Sequence, residues 1–121
     1  MKPAIESIRT FIGAKNYELS RSFYREWGFN ESITSPKMSY FSIDKFGFYL
    51  QDHYSKDWVN NSMIFLEVSD LSSYWEVLKA KNLHKKYEGV KLVEPTSFDW
   101  GREGFVYDPS GVLWHLGEFN Q

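Results

Sequence analysis

One order of expected secondary-structure elements occurs twice along this sequence. A β-rich segment, Ile5 to Ile12, precedes a helical segment with apolar residues spaced i, i+3, i+4 and i+7, and three short alternating segments follow. The same order then starts again in the second half. Asn16 and Asp70 are the expected N-caps of the two helices, and the separation between them also relates Phe11 to Phe65. We therefore predict an internal duplication of one βαβββ unit.

Neither unit alone can bury both its helix stripe and its sheet faces, so the two are expected to combine. The predicted fold class is α+β, with two βαβββ modules that form a curved mixed sheet, a cup, with the helices outside. The modules span about residues 1–52 and 61–121 of a single domain, a size that suits a chain of 121 residues. Between them, His53 to Asn61 is polar and is predicted to be a connecting loop.

Aromatic residues are unusually frequent, with 5 Trp, 8 Tyr and 10 Phe. A domain this small cannot bury that many large rings completely, so some are expected to line a cavity or an interface. A bulky core with scattered surface tyrosines is the alternative. The rings that alternation makes available to the cup are Tyr40, Phe46, Phe48, Tyr54, Trp58 and Trp100.

Charge and cysteine content exclude several function classes. A formal net charge of −2 gives no positive field for a phosphate backbone, so no nucleic-acid partner is predicted. The absence of cysteine excludes disulfides, thiolate metal sites and cysteine nucleophiles. The segment Met1 to Glu6 lacks a long apolar run, so neither a signal peptide nor a membrane span is expected. A cytoplasmic protein without a membrane partner is predicted.

Three motifs resemble segments of a known superfamily. They are the run Trp100-Gly101-Arg102-Glu103, the turn Asp108-Pro109-Ser110-Gly111 before the last strand, and a helix containing Phe23-Tyr24 that ends at Trp27-Gly28-Phe29. In order and spacing they are similar to the bleomycin-resistance proteins of the vicinal oxygen chelate superfamily, which also contains glyoxalase I and extradiol dioxygenases. The resemblance covers nearly the whole chain.

The resemblance also indicates where a metal ion would bind. Enzymes of the superfamily hold a divalent ion through His, Gln and Glu side chains on strands that face the cup, and the matching positions here are Arg9, Met63, Gln51 and His115. Arginine stays protonated, and a thioether is a poor ligand for a hard divalent ion. One amide and one imidazole do not complete a site, so no metal or other cofactor is predicted, and binding is favoured over catalysis.

The resemblance implies a homodimer that sequesters a flat, cationic drug without a reaction. We therefore expect metal-free binding of a small aromatic or cationic-aromatic molecule, such as an antibiotic. Trp100 occupies the family's ring-stacking position, and Arg102 and Glu103 are expected to pair across strands. The homodimer is expected either to pair through sheet edges or to exchange the segment Met1 to Ile5 between subunits. The predicted ligand-binding residues are Trp100, Arg102, Ile33, Met38, Tyr40, Tyr49, Gln51, Trp58 and His115.

Two alternatives remain open at this point. One is a metal-dependent enzyme of the glyoxalase or dioxygenase type with atypical ligands such as His115 and Gln51. The other is a structural or regulatory domain that keeps the fold without a ligand.

Overall fold

The computed structural model describes residues 2–121, which form eight strands and four helices. No helix within this range is long and apolar enough to cross a membrane. In chain order the elements are β1 Thr10–Gly13, α1 Tyr17–Trp27, β2 Asn30–Ser35, β3 Met38–Ile43, β4 Phe46–Gln51, α2 Lys56–Asn60, β5 Met63–Glu67, α3 Leu71–Ala80, α4 Leu83–Lys86, β6 Lys91–Phe98, β7 Gly101–Tyr107 and β8 Leu113–Phe119.

The strands form two four-stranded mixed sheets of the same design. Sheet A has the order β1-β4-β3-β2 and sheet B the order β5-β8-β7-β6. In each sheet the first and last strands of the unit are parallel, and the remaining neighbours are antiparallel. The α+β class and the repeated βαβββ unit are thus confirmed, although within one chain the strands form two separate sheets and not one continuous sheet.

Both predicted helix starts are confirmed by their hydrogen bonds. The Asn16 side chain accepts a bond from the backbone N–H of Leu19, and the Asp70 side chain accepts one from Ser73. Each acceptor satisfies a backbone donor that the first helical turn leaves without a partner. Gly28, in the left-handed region at φ 126°, ends α1 as the sequence predicts.

One face of each sheet contributes to a shared core. The ring of Tyr24 on α1 contacts Phe41 and Phe48 of sheet A and Trp114 of sheet B. Its hydroxyl donates to Asp108 at 2.6 Å and accepts from the Trp114 indole N–H at 2.9 Å. Because these buried polar groups satisfy one another, they are retained in an otherwise aromatic core.

The predicted first strand begins later than expected. Residues 2–9 have no regular secondary structure, and Ile5 and Ile8 are 82% and 91% exposed. β-branched residues favour a strand only where a neighbouring strand supplies hydrogen bonds, and only Thr10–Gly13 pairs with β4. The connecting segment also contains a short helix, α2, where a loop was predicted. Ser55 is the N-cap of this helix.

The second face of each sheet is not covered by the core, and we call these the open face of sheet A and the open face of sheet B. Strand alternation divides the aromatic residues between core and open faces. Tyr40 and Tyr49 lie on the open face of sheet A. Phe48, expected in the cup, is buried in the core, and Phe46 shares its side of β4, so both expectations were wrong.

Candidate ligand-binding faces

An exposed aromatic cluster covers one end of the open face of sheet B. Trp100, in the turn between β6 and β7, lies parallel to Phe98, with the ring centroids 5.8 Å apart and the planes 2° from parallel. It also contacts Phe119 at 5.2 Å and Phe65 at 6.3 Å. The four side chains remain 37–48% exposed. Exposed rings that contact one another are typical of a binding surface.

Gly117 on β8 leaves room for the Cζ end of the Phe65 ring. A Cβ at position 117 would overlap the ring of Phe65, and a residue with a side chain here would displace that ring. Phe65 in turn connects Trp100 with His115, whose ring lies 6.4 Å away and 22° from parallel. The structure therefore brings together two of the predicted site residues, Trp100 and His115.

His115 is held by a carboxylate beside this cluster. Its Nδ1 lies 3.1 Å from Oε2 of Glu103, and its Nε2 lies 3.4 Å from Sδ of Met63. Phe105 contacts the imidazole edge-on at 5.2 Å. A carboxylate on Nδ1 fixes the ring orientation and favours a proton on that nitrogen. Sheet B thus offers one oriented polar group next to a stacking surface.

The open face of sheet A holds four more of the predicted residues. Tyr40 pairs with Tyr49 across β3 and β4, with the ring centroids 5.1 Å apart, and Met38 pairs with Gln51. Phe11 stacks on Tyr49 at 4.7 Å. This face is a second aromatic surface, half-buried at its centre.

Trp58 covers the end of the same face. It belongs to α2, and a Cβ at Gly13 would come within 2.6 Å of its ring. Gly13 pairs with Gln51 at the end of β4, so Trp58 and Gln51 lie close to the same end of sheet A. Trp58, predicted to lie in a loop, therefore adds its ring to the open face of sheet A.

Two predicted site residues do not join either open face. Ile33 pairs with Ser39, whose buried hydroxyl bonds to Glu31 on the core side, so Ile33 points to that side of β2. Arg102 donates to Ser72 at 2.8 Å on the core side of sheet B. Of the cross-strand pairing expected for Arg102 and Glu103, the structure shows the part that involves Glu103, which contacts His115 on β8, whereas Arg102 bonds to α3.

Sequence reasoning missed several residues of the aromatic surfaces: Phe11, Phe65, Phe98 and Phe119. For Phe11 and Phe65 a signal was present, since the internal repeat places them at equivalent positions of β1 and β5. Phe98 and Phe119 are the last residues of β6 and β8. They come together only because each of them pairs with Gly101 on β7.

The atypical metal ligands considered from the sequence do not converge within one chain. Gln51 lies on the open face of sheet A and His115 on that of sheet B. Among residues 2–121, no three His, Cys, Asp or Glu side chains are grouped closely enough to hold a metal ion.

No family model and no curated protein sequence matches this chain. Solved structures do match it over nearly its whole length. The bleomycin resistance determinant encoded on transposon Tn5 gives a TM-score of 0.80 at 14% identity, covering 97% of this chain and 100% of that one. The bleomycin-binding protein from Streptomyces verticillus, complexed with copper(II)-bleomycin, gives 0.80 at 16% identity, covering 99% and 100%.

The chain has the vicinal oxygen chelate fold. The resemblance seen in the sequence motifs is thus confirmed at the level of fold. A lactoylglutathione lyase from Agrobacterium tumefaciens shares the vicinal oxygen chelate fold with a TM-score of 0.70 at 14% identity, covering 97% of this chain and 96% of that one. Because binding proteins and a lyase both match, the fold by itself does not choose between binding and catalysis.

Proposed function

We propose that this protein binds and sequesters a small planar aromatic molecule, an antibiotic or a metabolite, without a metal ion. The observation that carries the proposal is the exposed, parallel pair of Trp100 and Phe98 on sheet B. Stacking on such rings stabilises a flat ligand by roughly 0.5–1.5 kcal/mol beyond the burial of apolar area. Phe65 and Phe119 extend the surface, and His115 supplies a polar contact at its edge.

The structural matches support an antibiotic as the ligand class. They include a bleomycin-binding protein complexed with bleomycin, at 15% identity, and TnmS3, an antibiotic binding protein from Streptomyces sp. CB03234, at 18% identity. The latter has a TM-score of 0.75 and covers 98% of this chain and 100% of that one. We also propose a role in antibiotic resistance for the case in which the ligand is an antibiotic, and a location in the cytoplasm.

We further propose that the working form is a homodimer. The aromatic surfaces of the two sheets face away from their shared core, and among residues 2–121 no ring pair joins one open face to the other. A second copy can place its sheet A against sheet B of the first and so complete the cup. The segment Met1 to Ile5, of which the structure describes residues 2–5, would then exchange between subunits, and the contact between the two copies would bury Ile5 and Ile8.

The chemistry of the donor groups supports binding without a metal. At the family's ligand positions, Arg9 carries a permanent positive charge and Met63 offers a thioether, so only Gln51 and His115 remain as ordinary ligands. A metal-dependent lyase or dioxygenase is the competing function. Elemental analysis of the purified protein separates the two, because the competing function requires stoichiometric zinc, iron, nickel or manganese.

The proposal is tested by titrating chelator-treated protein with bleomycin and with uncharged planar ring compounds. Saturable quenching of tryptophan fluorescence and a raised Tm are expected, since a ligand selective for the folded state stabilises it. Binding that disappears with the chelator and returns with a metal ion would favour the competing enzyme. An absence of binding by every ring compound would contradict the proposal.

A further inference from the structure

We propose that Arg9 forms an anion-binding subsite on the open face of sheet A, and that the aromatic ligand therefore carries a carboxylate or a similar acidic group. This inference rests on the proposed function and adds to it the charge of the ligand, which the stacking surface of sheet B leaves undetermined.

The guanidinium of Arg9 is held in place by two tyrosines. Its Cζ lies 4.1 Å from the centroid of the Tyr40 ring and 5.7 Å from that of Tyr49. Its Nη1 donates a hydrogen bond of 2.8 Å to the hydroxyl of Tyr49. A cation stacked on one ring and hydrogen-bonded to a second has lost much of the freedom of a surface arginine, so a ligand would lose less entropy in ordering it.

No carboxylate neutralises this charge within the part of the chain that the structure describes. Arg21 and Arg25 both bind Glu31 at 2.6–2.7 Å, whereas the ion pairs of residues 2–121 do not include Arg9. The guanidinium has five N–H donors in a planar fork, of which Tyr49 accepts one. Most of its donors are therefore available to a ligand.

An aromatic surface lies directly beside these donors. Phe11 follows Arg9 by two residues, stacks on Tyr49 with the planes 15° apart, and stays 45% exposed. Residues two apart in extended chain lie roughly 7 Å from each other. Gly47 permits this arrangement, because a Cβ there would overlap the Tyr40 hydroxyl and displace the ring that supports Arg9. A flat ring can thus stack on Phe11 while an acidic group attached to it reaches Arg9.

The geometry selects for one chemical class. A planar guanidinium binds a carboxylate through two parallel hydrogen bonds, and such charge-assisted bonds are stronger than hydrogen bonds between neutral groups. An organic cation on the same face would meet the fixed positive charge instead. The expected ligand is a planar aromatic acid, and not a cationic drug.

The experiment compares three probes with one ring system: 2-naphthoate, 2-naphthalenemethanol and 2-naphthylmethylammonium, each titrated against the wild-type protein in solution. Naphthoate is expected to bind best, by about tenfold or more over the ammonium compound. Arg9→Gln should weaken naphthoate binding by about tenfold and leave the alcohol unchanged, and Arg9→Lys should retain part of the preference. Lys45→Gln, which removes one positive charge from the exposed turn after β3, is the matched control and should change nothing.

The outcomes separate this inference from the proposed function. Equal binding of the three probes, with Arg9→Gln indistinguishable from wild type, would overturn the anion subsite alone. Such a result is expected if a carboxylate of a second copy already binds Arg9. In that case Trp100→Ala should still weaken all three probes. If none of the probes binds, both proposals fail.

Discussion

The Cζ end of the Phe65 ring lies against Gly117, in the space that a Cβ at that position would occupy. This contact supports the aromatic surface of sheet B from below, because Phe65 touches both Trp100 and His115.

Gly117→Ala is expected to displace the Phe65 ring. The added methyl group should weaken ligand binding several-fold, whereas the free energy of unfolding should fall by less than about 1 kcal/mol, because the half-exposed ring can turn towards solvent. Urea denaturation and fluorescence titration measure the two effects. In Phe65→Leu the ring is gone, so adding Gly117→Ala to that variant should weaken ligand binding clearly less. An equal loss of binding affinity in both backgrounds would show that Phe65 is not the group displaced.

The protein is expected to have, in sedimentation, twice the 14.3 kDa mass of its chain. Replacing both Ile5 and Ile8 with Asp should shift it towards the monomer, because charges would oppose burial of these positions between the two copies. Analytical ultracentrifugation over a concentration series measures this change. Val77→Asp, at an exposed position on α3, is the control and should leave the mass unchanged. A wild-type monomer at all concentrations would contradict the proposed homodimer.

Glu31 is expected to make stability depend on acid pH. Burial opposes its ionisation, but hydrogen bonds from Arg21, Ser39 and Arg25 prevail and lower its pKa from 4.5 to about 2. Since the pKa is lower in the folded state, the stabilisation is complete above pH 4.5 and is lost as the pH falls towards 2. Glu31→Gln should therefore cost about 1–3 kcal/mol at pH 7 and progressively less in acid.

Urea denaturation at several pH values measures this difference. Glu18→Gln is the control, because Glu18 is 74% exposed and its pair with Arg21 lies in solvent. A cost of Glu31→Gln that stays constant from pH 7 to pH 2 would show that the charge of Glu31 does not stabilise the fold.

The fold could be predicted because its signals are local. The helical apolar spacing, the N-caps Asn16 and Asp70, and the stop at Gly28 depend only on neighbouring residues. Their repetition then identified the βαβββ unit. The start of β1 was missed because a strand depends on a partner strand that local sequence does not specify.

The site was predicted only in part, because the sheet face on which a side chain lies depends on strand register. Alternation shows that Trp114 and His115 point to opposite sides, but it does not show which side meets the core. Ile33 was assigned by resemblance, and its pairing with Ser39 places it on the core side. Phe98 joins Trp100 through a shift in register in β6, which lies between Val93 and Thr96 and leaves no signal in the spacing of apolar residues.

The central claim, that ring stacking on Trp100 holds the ligand without a metal ion, is tested most directly by calorimetric titration of Trp100→Ala in the presence of a chelator. The wild-type protein should bind an aromatic ligand with the chelator present, and Trp100→Ala should lose more than ~1 kcal/mol of binding free energy. Phe46→Ala, which removes an exposed ring on the other side of sheet A, should bind as the wild type does. An affinity unchanged by Trp100→Ala, or wild-type binding abolished by the chelator, would contradict the claim.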